Sequence, residues 1–217
     1  KFPDSCADVT TWVKNQIKGS LLRLKVDHLS GLLLHLPEQL LCSKGEELWA
    51  TLEALKDEGL LGKIGYSIYS PTELDVLFPA YRPDIVQGPF NVLDRRFSSS
   101  GWLRRLNKEG VEAHARSIFL QGLLLMSKKN RPRKFDRWSF LWAAWDDWLV
   151  EKNFTAIQAC LNFVMADQNL CKAIIGVDNV LQLKELLSSF DSLTEDFPEN
   201  LATNDLDLIV PSNWGSL

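Results

Sequence analysis

Cysteine and histidine are scarce in this sequence, and the few that occur are not arranged to bind a metal. The 217 residues contain four cysteines and three histidines, and no two cysteines form a C-x-x-C pair. A structural zinc site needs four closely spaced thiolate or imidazole ligands, so we expect no metal site. We expect the cysteines to be the reduced thiols of a cytoplasmic protein.

Long apolar segments are also missing. The apolar runs are only a few residues long, such as the leucines at 32–34, whereas about 20 residues are needed to cross a bilayer. The first residues, KFPDSCADVTTWV, lack the charged and apolar regions of a signal peptide. We therefore expect neither a transmembrane helix nor a secretion signal.

An excess of positive charge, which would attract nucleic acid or an anionic membrane, is absent as well. Lys and Arg number 24 against 28 Asp and Glu, which gives a net charge of −4. The basic run KKNRPRK at 128–134 is short and has no interleaved aromatic residues, and we interpret it as a solvated loop. The expected partner is a small molecule or another protein, and the sequence indicates no oligomeric state.

What the sequence does contain is an alternation of apolar strands and amphipathic helices. Periodicity predicts strands at 26–36, 63–69, 84–90, 111–119 and 173–177. It predicts helices at 45–56, 71–77, 101–109, 133–150, 153–167 and 180–190. This order is typical of the α/β class, in which helices cover a parallel sheet.

Two α/β architectures compete at this point. A doubly wound sheet favours a glycine-rich phosphate turn after an early strand, but Gly59, Gly62 and Gly65 have the wrong spacing and precede their strand. A (β/α)8 barrel needs eight strands and about 250 residues, and this sequence supplies only five predicted strands. If the fold is a barrel, the five predicted strands make it an incomplete one.

Several segments resemble the aldo-keto reductases in their order and spacing. They are EGLLGKIGYSIYSPTEL, DIVQGPFNVLDRRF, ARSIFLQGLLL and IIGVDNVLQL, preceded by SLLRLKVDHLSGLLLHLP. The resemblance is greatest to a bacterial branch often found with sugar-biosynthesis genes. It implies a (β/α)8 TIM barrel that is incomplete at its N-terminus, with about strands 4 to 8 present. Residues 1–190 would form the C-terminal portion of the barrel, and residues 191–217 a tail that packs on it.

The resemblance also implies an activity, the reduction of a carbonyl substrate with NADP or NAD as cofactor. It assigns His35 as the catalytic histidine and Lys1 as the catalytic lysine. The family's catalytic Asp and Tyr are expected upstream of Lys1, and none of the three tyrosines occupies the family's tyrosine position. Since Tyr donates the proton in this chemistry, we expect the chain as given to be inactive or weakly active.

Cofactor-binding residues follow from the same resemblance. Ser67 and Gln87 would hold the nicotinamide carboxamide, Arg116 would lie on the ring, and Ser117 and Phe119 would approach the pyrophosphate. The adenosine end would be bound by Gly176, Val177, Asp178, Gln182 and Glu185.

Three positions depart from the family pattern. Ile68 stands where Asn is usual, Arg116 replaces an aromatic residue, and Asp178, at or near a helix N-cap, would repel a phosphate. A basic residue from 128–134 is the alternative source of the missing positive charge. These departures favour a second hypothesis, a catalytically silent barrel that binds a nucleotide or a protein partner.

Aromatic residues mark the C-terminal half. Phe135, Trp138, Trp142 and Trp145 recur at helical spacing, which predicts a buried face. The segment 191–213 is predicted to be extended, and Trp214 is a candidate contact to substrate.

Overall fold

The computed structural model describes residues 2–3, 6–189 and 196–217. Lys1 and the predicted boundary at 190/191 lie outside these residues. The chain divides into two compact units. Unit 1 extends to Gly88 and also includes Leu106–Ala113, and unit 2 consists of Pro89–Arg105 and His114–Leu217. In the described part of the chain, no helix has the length and apolar character needed to span a membrane.

Five strands confirm the predicted number and order of strands in the described residues. They are β1 (Leu32–Leu34), β2 (Ile64–Ser67), β3 (Ile85–Pro89), β4 (Glu112–Arg116) and β5 (Lys172–Ala173). The sheet is parallel and its strand order is the chain order, β1 to β5. This is the sheet of an α/β protein.

Helices separate the strands, as the periodicity predicts. The helices are α1 (Val9–Leu24), α2 (Gly45–Asp57), α3 (Glu73–Ala80), α4 (Arg96–Ser99), α5 (Trp102–Lys108), α6 (Ser139–Lys152), α7 (Ala156–Ala166), α8 (Val180–Ser188) and α9 (Leu206–Ile209). The predicted helix at 133–150 begins as a short 3-10 helix, Arg133–Trp138, before α6.

Helix α1 was not predicted. Its signals are local: the Asp8 side chain accepts a hydrogen bond from the Thr11 amide (2.8 Å), and the buried residues Val9, Val13 and Ile17 are spaced four apart. The helix ends at Lys25 in the left-handed conformation. Residues 9–24 therefore form a helix before the first predicted strand.

The first and last strands are shorter than predicted. In the predicted segment 26–36, only Leu32–Leu34 forms a strand, and Leu29 makes an isolated bridge to Leu61. In the segment 173–177, Ile174 donates one further hydrogen bond to Ala115 (2.8 Å) before the chain leaves the strand direction. Apolar runs alone do not determine where pairing stops.

Strands β2 and β3 pair closely because Gly65 has no side chain. A Cβ built at Gly65 would lie 1.8 Å from the carbonyl oxygen of Ile85. Any larger residue would push the two strands apart. Gly65 therefore fixes the register that aligns Ser67 with Gln87.

The aromatic residues of unit 2 form a packed core, as predicted. Phe135, Trp138, Trp142 and Trp145 are buried, and the Trp145 indole donates to the Leu124 carbonyl (3.2 Å). The described part of the tail is not simply extended, since it contains α9 and a 3-10 helix, Pro211–Ser216.

Candidate functional site

Three predicted site residues lie at one level of the sheet in unit 1. Leu34 pairs with Tyr66 and Ser67 pairs with Gln87, and His35 follows Leu34 directly. The carboxyl ends of parallel strands share one edge of a sheet, where α/β proteins place their sites. We call His35, Ser67 and Gln87 the carboxyl edge of unit 1.

The Tyr66 side chain lies on the face of the sheet opposite to that of Ser67. It is fully buried, its hydroxyl donates to the Tyr81 carbonyl (3.3 Å), and its ring lies 6.3 Å from the Trp49 ring. Burial raises the pKa of the Tyr66 hydroxyl. Because side chains alternate along a strand, Ser67 points to the opposite face. Tyr66 therefore serves the helical layer and is not a proton donor at the carboxyl edge.

Ile68 is an apolar residue at the carboxyl edge, at a position where the resemblance leads one to expect a polar Asn. Its amide donates to the Gln87 carbonyl (2.8 Å), and its side chain is fully buried. An apolar side chain offers no hydrogen bond to a carboxamide. Ser67 and Gln87 remain as the side-chain donors and acceptors that the sequence predicts at this level.

His35 lies beside a phenol. The rings of His35 and Tyr69 meet edge to face with centroids 6.1 Å apart, and Tyr69 is 41% exposed. Glu73 holds the backbone there, because its carboxylate accepts from the amides of Tyr69 (2.8 Å) and Ser70 (2.7 Å). The contact between Tyr69 and His35 was not predicted from the sequence. Lys1 is outside the described residues.

Unit 2 contains a cleft of about 830 Å³ after the carboxyl ends of β4 and β5. Seven of the residues predicted to bind the cofactor line it: Ser117, Phe119, Gly176, Val177, Asp178, Gln182 and Glu185. Arg116 does not line the cleft, but its guanidinium donates to the Ser117 hydroxyl (3.1 Å). We call this cavity the unit 2 cleft.

The loop after β4 has an unusual backbone. Ser117, Leu120 and Gln121 adopt positive φ values of 58°, 46° and 54°, and Gly122 follows at 83°. A non-glycine residue in this conformation costs on the order of 1 kcal/mol or more, and such residues concentrate at functional sites. The Asn91 side chain donates to the Ser117 carbonyl (3.1 Å) and helps to hold the loop. Gln121 and Gly122 also line the cleft and were not predicted.

The start of α8 forms the other wall of the cleft. Asn179, not Asp178, is the N-cap, and its side chain accepts from the Gln182 amide (3.0 Å). The Gln182 side-chain oxygen in turn accepts from the Asp178 amide (2.7 Å). Asp178 therefore lies directly before the N-cap, within the position that the sequence predicts, and it is one of the residues that line the cleft.

The basic run at 128–134 supplies no charge to this cleft. Arg131 is buried against the Trp142 ring (4.8 Å) and pairs with Asp146, with 3.0 Å from Nη1 to Oδ2. Lys134 donates to the Trp214 carbonyl (2.7 Å). Among the described residues, no Lys or Arg lines the cleft. The expectation that this run replaces the missing positive charge is not supported.

Trp214 packs inside the C-terminal structure. Its ring meets that of Phe135 edge to face at 4.9 Å, and its indole donates to the Leu208 carbonyl (2.9 Å). These contacts give Trp214 a structural role.

A second cavity in unit 2, of about 820 Å³, is lined by groups that already have partners. Arg96 binds buried Asp94, Ser98 donates to Asp167 (3.0 Å), and Arg95 donates to the Pro198 carbonyl (2.8 Å). Burial lowers the pKa of the Arg95 guanidinium. These contacts attach the C-terminal segment to the rest of unit 2.

The groups in the unit 2 cleft are of the kinds that a dinucleotide needs. Ser117 offers a hydroxyl, Gln182 an amide, and Asp178 and Glu185 carboxylates that accept hydrogen bonds from ribose hydroxyls. Gly122 and Gly176 leave open space where a Cβ would stand, so a ligand can approach the backbone there. The lining therefore offers hydrogen-bonding groups of the kinds that the ribose hydroxyls of a dinucleotide would use.

Comparison with known sequences places the chain in a family. The model of the aldo/keto reductase family matches residues 7–201. No curated protein matches the chain.

Solved structures with a similar fold include aldo-keto reductases. The apo form of one from Bacillus halodurans superposes with a TM-score of 0.70 at 19% identity, covering 88% of this chain and 67% of that one. Its holo form gives 0.68 at 19% identity, with coverages of 91% and 68%. A thermostable aldo-keto reductase bound to the inhibitor epalrestat gives 0.63 at 21% identity, with coverages of 87% and 63%. The chain thus spans about two thirds of the length of these structures, and its five parallel strands represent part of a (β/α)8 barrel.

Proposed function

The chain belongs to the aldo/keto reductase family, and from this premise we propose that it is an oxidoreductase that reduces the carbonyl group of a small molecule with NAD(P)H. The substrate class is an aldehyde, a ketone or a sugar-derived carbonyl compound, and the protein acts in the cytoplasm. When bound, the reduced nicotinamide supplies a hydride. The residues of this chain bind and orient the reactants.

Each unit supports a different part of the proposal. In unit 1, the His35 imidazole donates a hydrogen bond to the substrate oxygen and orients it, and Ser67 and Gln87 bind the carboxamide of the nicotinamide. In unit 2, the loop after β4 binds the pyrophosphate and the start of α8 binds the adenosine. The observation that carries the proposal is the unit 2 cleft, because it gathers seven residues that the family resemblance predicts to bind the cofactor.

Blocking the cleft tests this assignment. A Gly176→Phe substitution adds a ring to the cleft lining, and Gly215→Phe is the matched control, since both glycines have open space at Cβ and neither has a positive φ. We expect G176F to weaken NADH and NADPH binding at least about tenfold in fluorescence titrations, and G215F to leave it unchanged. Equal affinities in the two variants would show that the cleft does not hold the cofactor.

A catalytically silent binding module is the second candidate function. The observation in its favour is the buried, apolar side chain of Ile68, which the family resemblance aligns with an Asn. The Tyr66 hydroxyl donates to the Tyr81 carbonyl, on the other face of the sheet, so Tyr66 is not a proton-donor candidate at the carboxyl edge. We expect binding of the dinucleotide with weak or absent turnover of aldehydes and ketones. Steady NADPH or NADH consumption by the purified chain would reject the silent module.

A further inference from the structure

The charge of the unit 2 cleft is unevenly distributed. On the side formed by α8 and the residues just before it, the lining includes the acidic residues Asp178 and Glu185, and no Lys or Arg among the described lining residues offsets them. At the loop after β4, the Arg116 guanidinium is held on the Ser117 hydroxyl at 3.1 Å. The cleft is therefore acidic at one end and has a cation beside its other end.

The helix N-terminus does not compensate for these carboxylates. A helix start attracts anions through its backbone amides, but here the chain's own side chains accept from one amide in the first turn of α8 and from one amide just before the helix. Asn179 accepts from the Gln182 amide, and Gln182 accepts from the Asp178 amide. A phosphate at either of these two amides would have to displace its acceptor, and it would lie beside the acidic lining residues Asp178 and Glu185.

We propose that the unit 2 cleft selects NAD(H) over NADP(H), with Asp178 and Glu185 accepting the hydroxyls of the adenosine ribose and repelling a 2′-phosphate. This inference rests on the proposed function and specifies its cofactor. The two dinucleotides differ only in that phosphate, which carries more than one negative charge at neutral pH. Carboxylates accept hydrogen bonds and donate none, so they match ribose hydroxyls and oppose a phosphate.

Calorimetric titration of the purified protein with NADH and NADPH tests the preference directly. We expect NADH to bind at least about tenfold more tightly at low salt, with a smaller ratio at higher ionic strength because the repulsion is screened. The adenosine fragments 5′-AMP and adenosine 2′,5′-bisphosphate should show the same order. Equal binding of NADH and NADPH, or tighter binding of NADPH, would overturn the preference and leave the proposed function intact. Binding of neither dinucleotide would overturn both.

Charge-neutralising variants test the residues. Asp178→Asn combined with Glu185→Gln keeps the side-chain shapes and removes both charges, so the ratio of NADH to NADPH affinity should fall toward one, mainly through tighter NADPH binding. Asp147→Asn is the control, because Asp147 is an exposed carboxylate of α6 outside the cleft lining. If the double variant keeps the discrimination of the unmodified protein, or if D147N reduces it equally, these carboxylates do not determine the choice.

Discussion

The two candidate regions are built in different ways. The carboxyl edge of unit 1 stands on paired strands whose neighbouring side chains, Tyr66 and Ile68, are fully buried. The unit 2 cleft is formed by a loop with positive φ values and by α8, where Leu181 and Leu187 are 77% and 68% exposed. The first region is fixed by packing, whereas the second is open and depends on a few local hydrogen bonds. This difference predicts where substitutions affect stability and where they affect binding.

The largest expected effect on stability is at Gly65. A Gly65→Val substitution places a side chain against the Ile85 carbonyl, so we expect a loss of about 3 kcal/mol or more in the free energy of unfolding. Gly176→Val meets nothing within 4 Å and should change stability by less than about 0.5 kcal/mol. Urea unfolding followed by circular dichroism measures both. Similar losses in the two variants would contradict the contrast between a packed edge and an open cleft.

The stability of unit 2 should depend on its aromatic core and not on its cleft. Asp146→Ala leaves the Arg131 guanidinium, 4% exposed, without its carboxylate. Since the Asp146 side chain is 34% exposed and solvent weakens the pair, we expect a loss of about 2 kcal/mol. Asp147→Ala, on the exposed neighbour, should cost less than about 0.5 kcal/mol. Equal costs in thermal unfolding would mean that this ion pair does not stabilise unit 2.

High pH should affect both units through buried acids. Burial raises the pKa of the Cys160 thiol in unit 2 and of the Tyr66 hydroxyl in unit 1. Each group stays protonated in the folded protein and ionises in the unfolded chain, so stability is intact at neutral pH and falls as pH rises. The loss should begin above about pH 8.5 for Cys160 and above about pH 10 for Tyr66, at about 1.4 kcal/mol per pH unit for each.

Single variants separate these two contributions to the pH dependence. Cys160→Ala should remove the earlier part of the fall in unfolding free energy, and Tyr66→Phe the later part. Urea unfolding at a series of pH values provides the measurement. A C160A variant with an unchanged pH dependence would show that the thiol is not protected from ionisation in the folded state.

Much of the fold could be predicted because its signals are local. The helix predicted at 45–56 is α2, Gly45–Asp57, and the strands at 63–69 and 84–90 contain β2 and β3. The same kind of signal was present for α1, where Asp8 caps buried residues four apart. The sequence therefore carries enough local signal for α1.

Other features depend on tertiary contacts that a sequence does not display. Leu120 and Gln121 rarely adopt a positive φ, and nothing in their types predicts it. The segment after Ala173 looks like a strand from its apolar residues, but the chain turns there to line the cleft and enter α8. The sequence places Asp178 at or near the N-cap, but only the structure shows that Asn179 is the N-cap. The site residues came from a family resemblance, and composition alone would not have identified them.

Hydrogen exchange with and without a bound dinucleotide tests most directly whether the unit 2 cleft holds the cofactor. We predict that saturating NADH slows amide exchange in segments 117–122 and 174–186, with little change around the second cavity at Arg95, Ser98 and Asp167. Protection at the second cavity without protection of the cleft segments, or no protection in either place, would contradict the assignment.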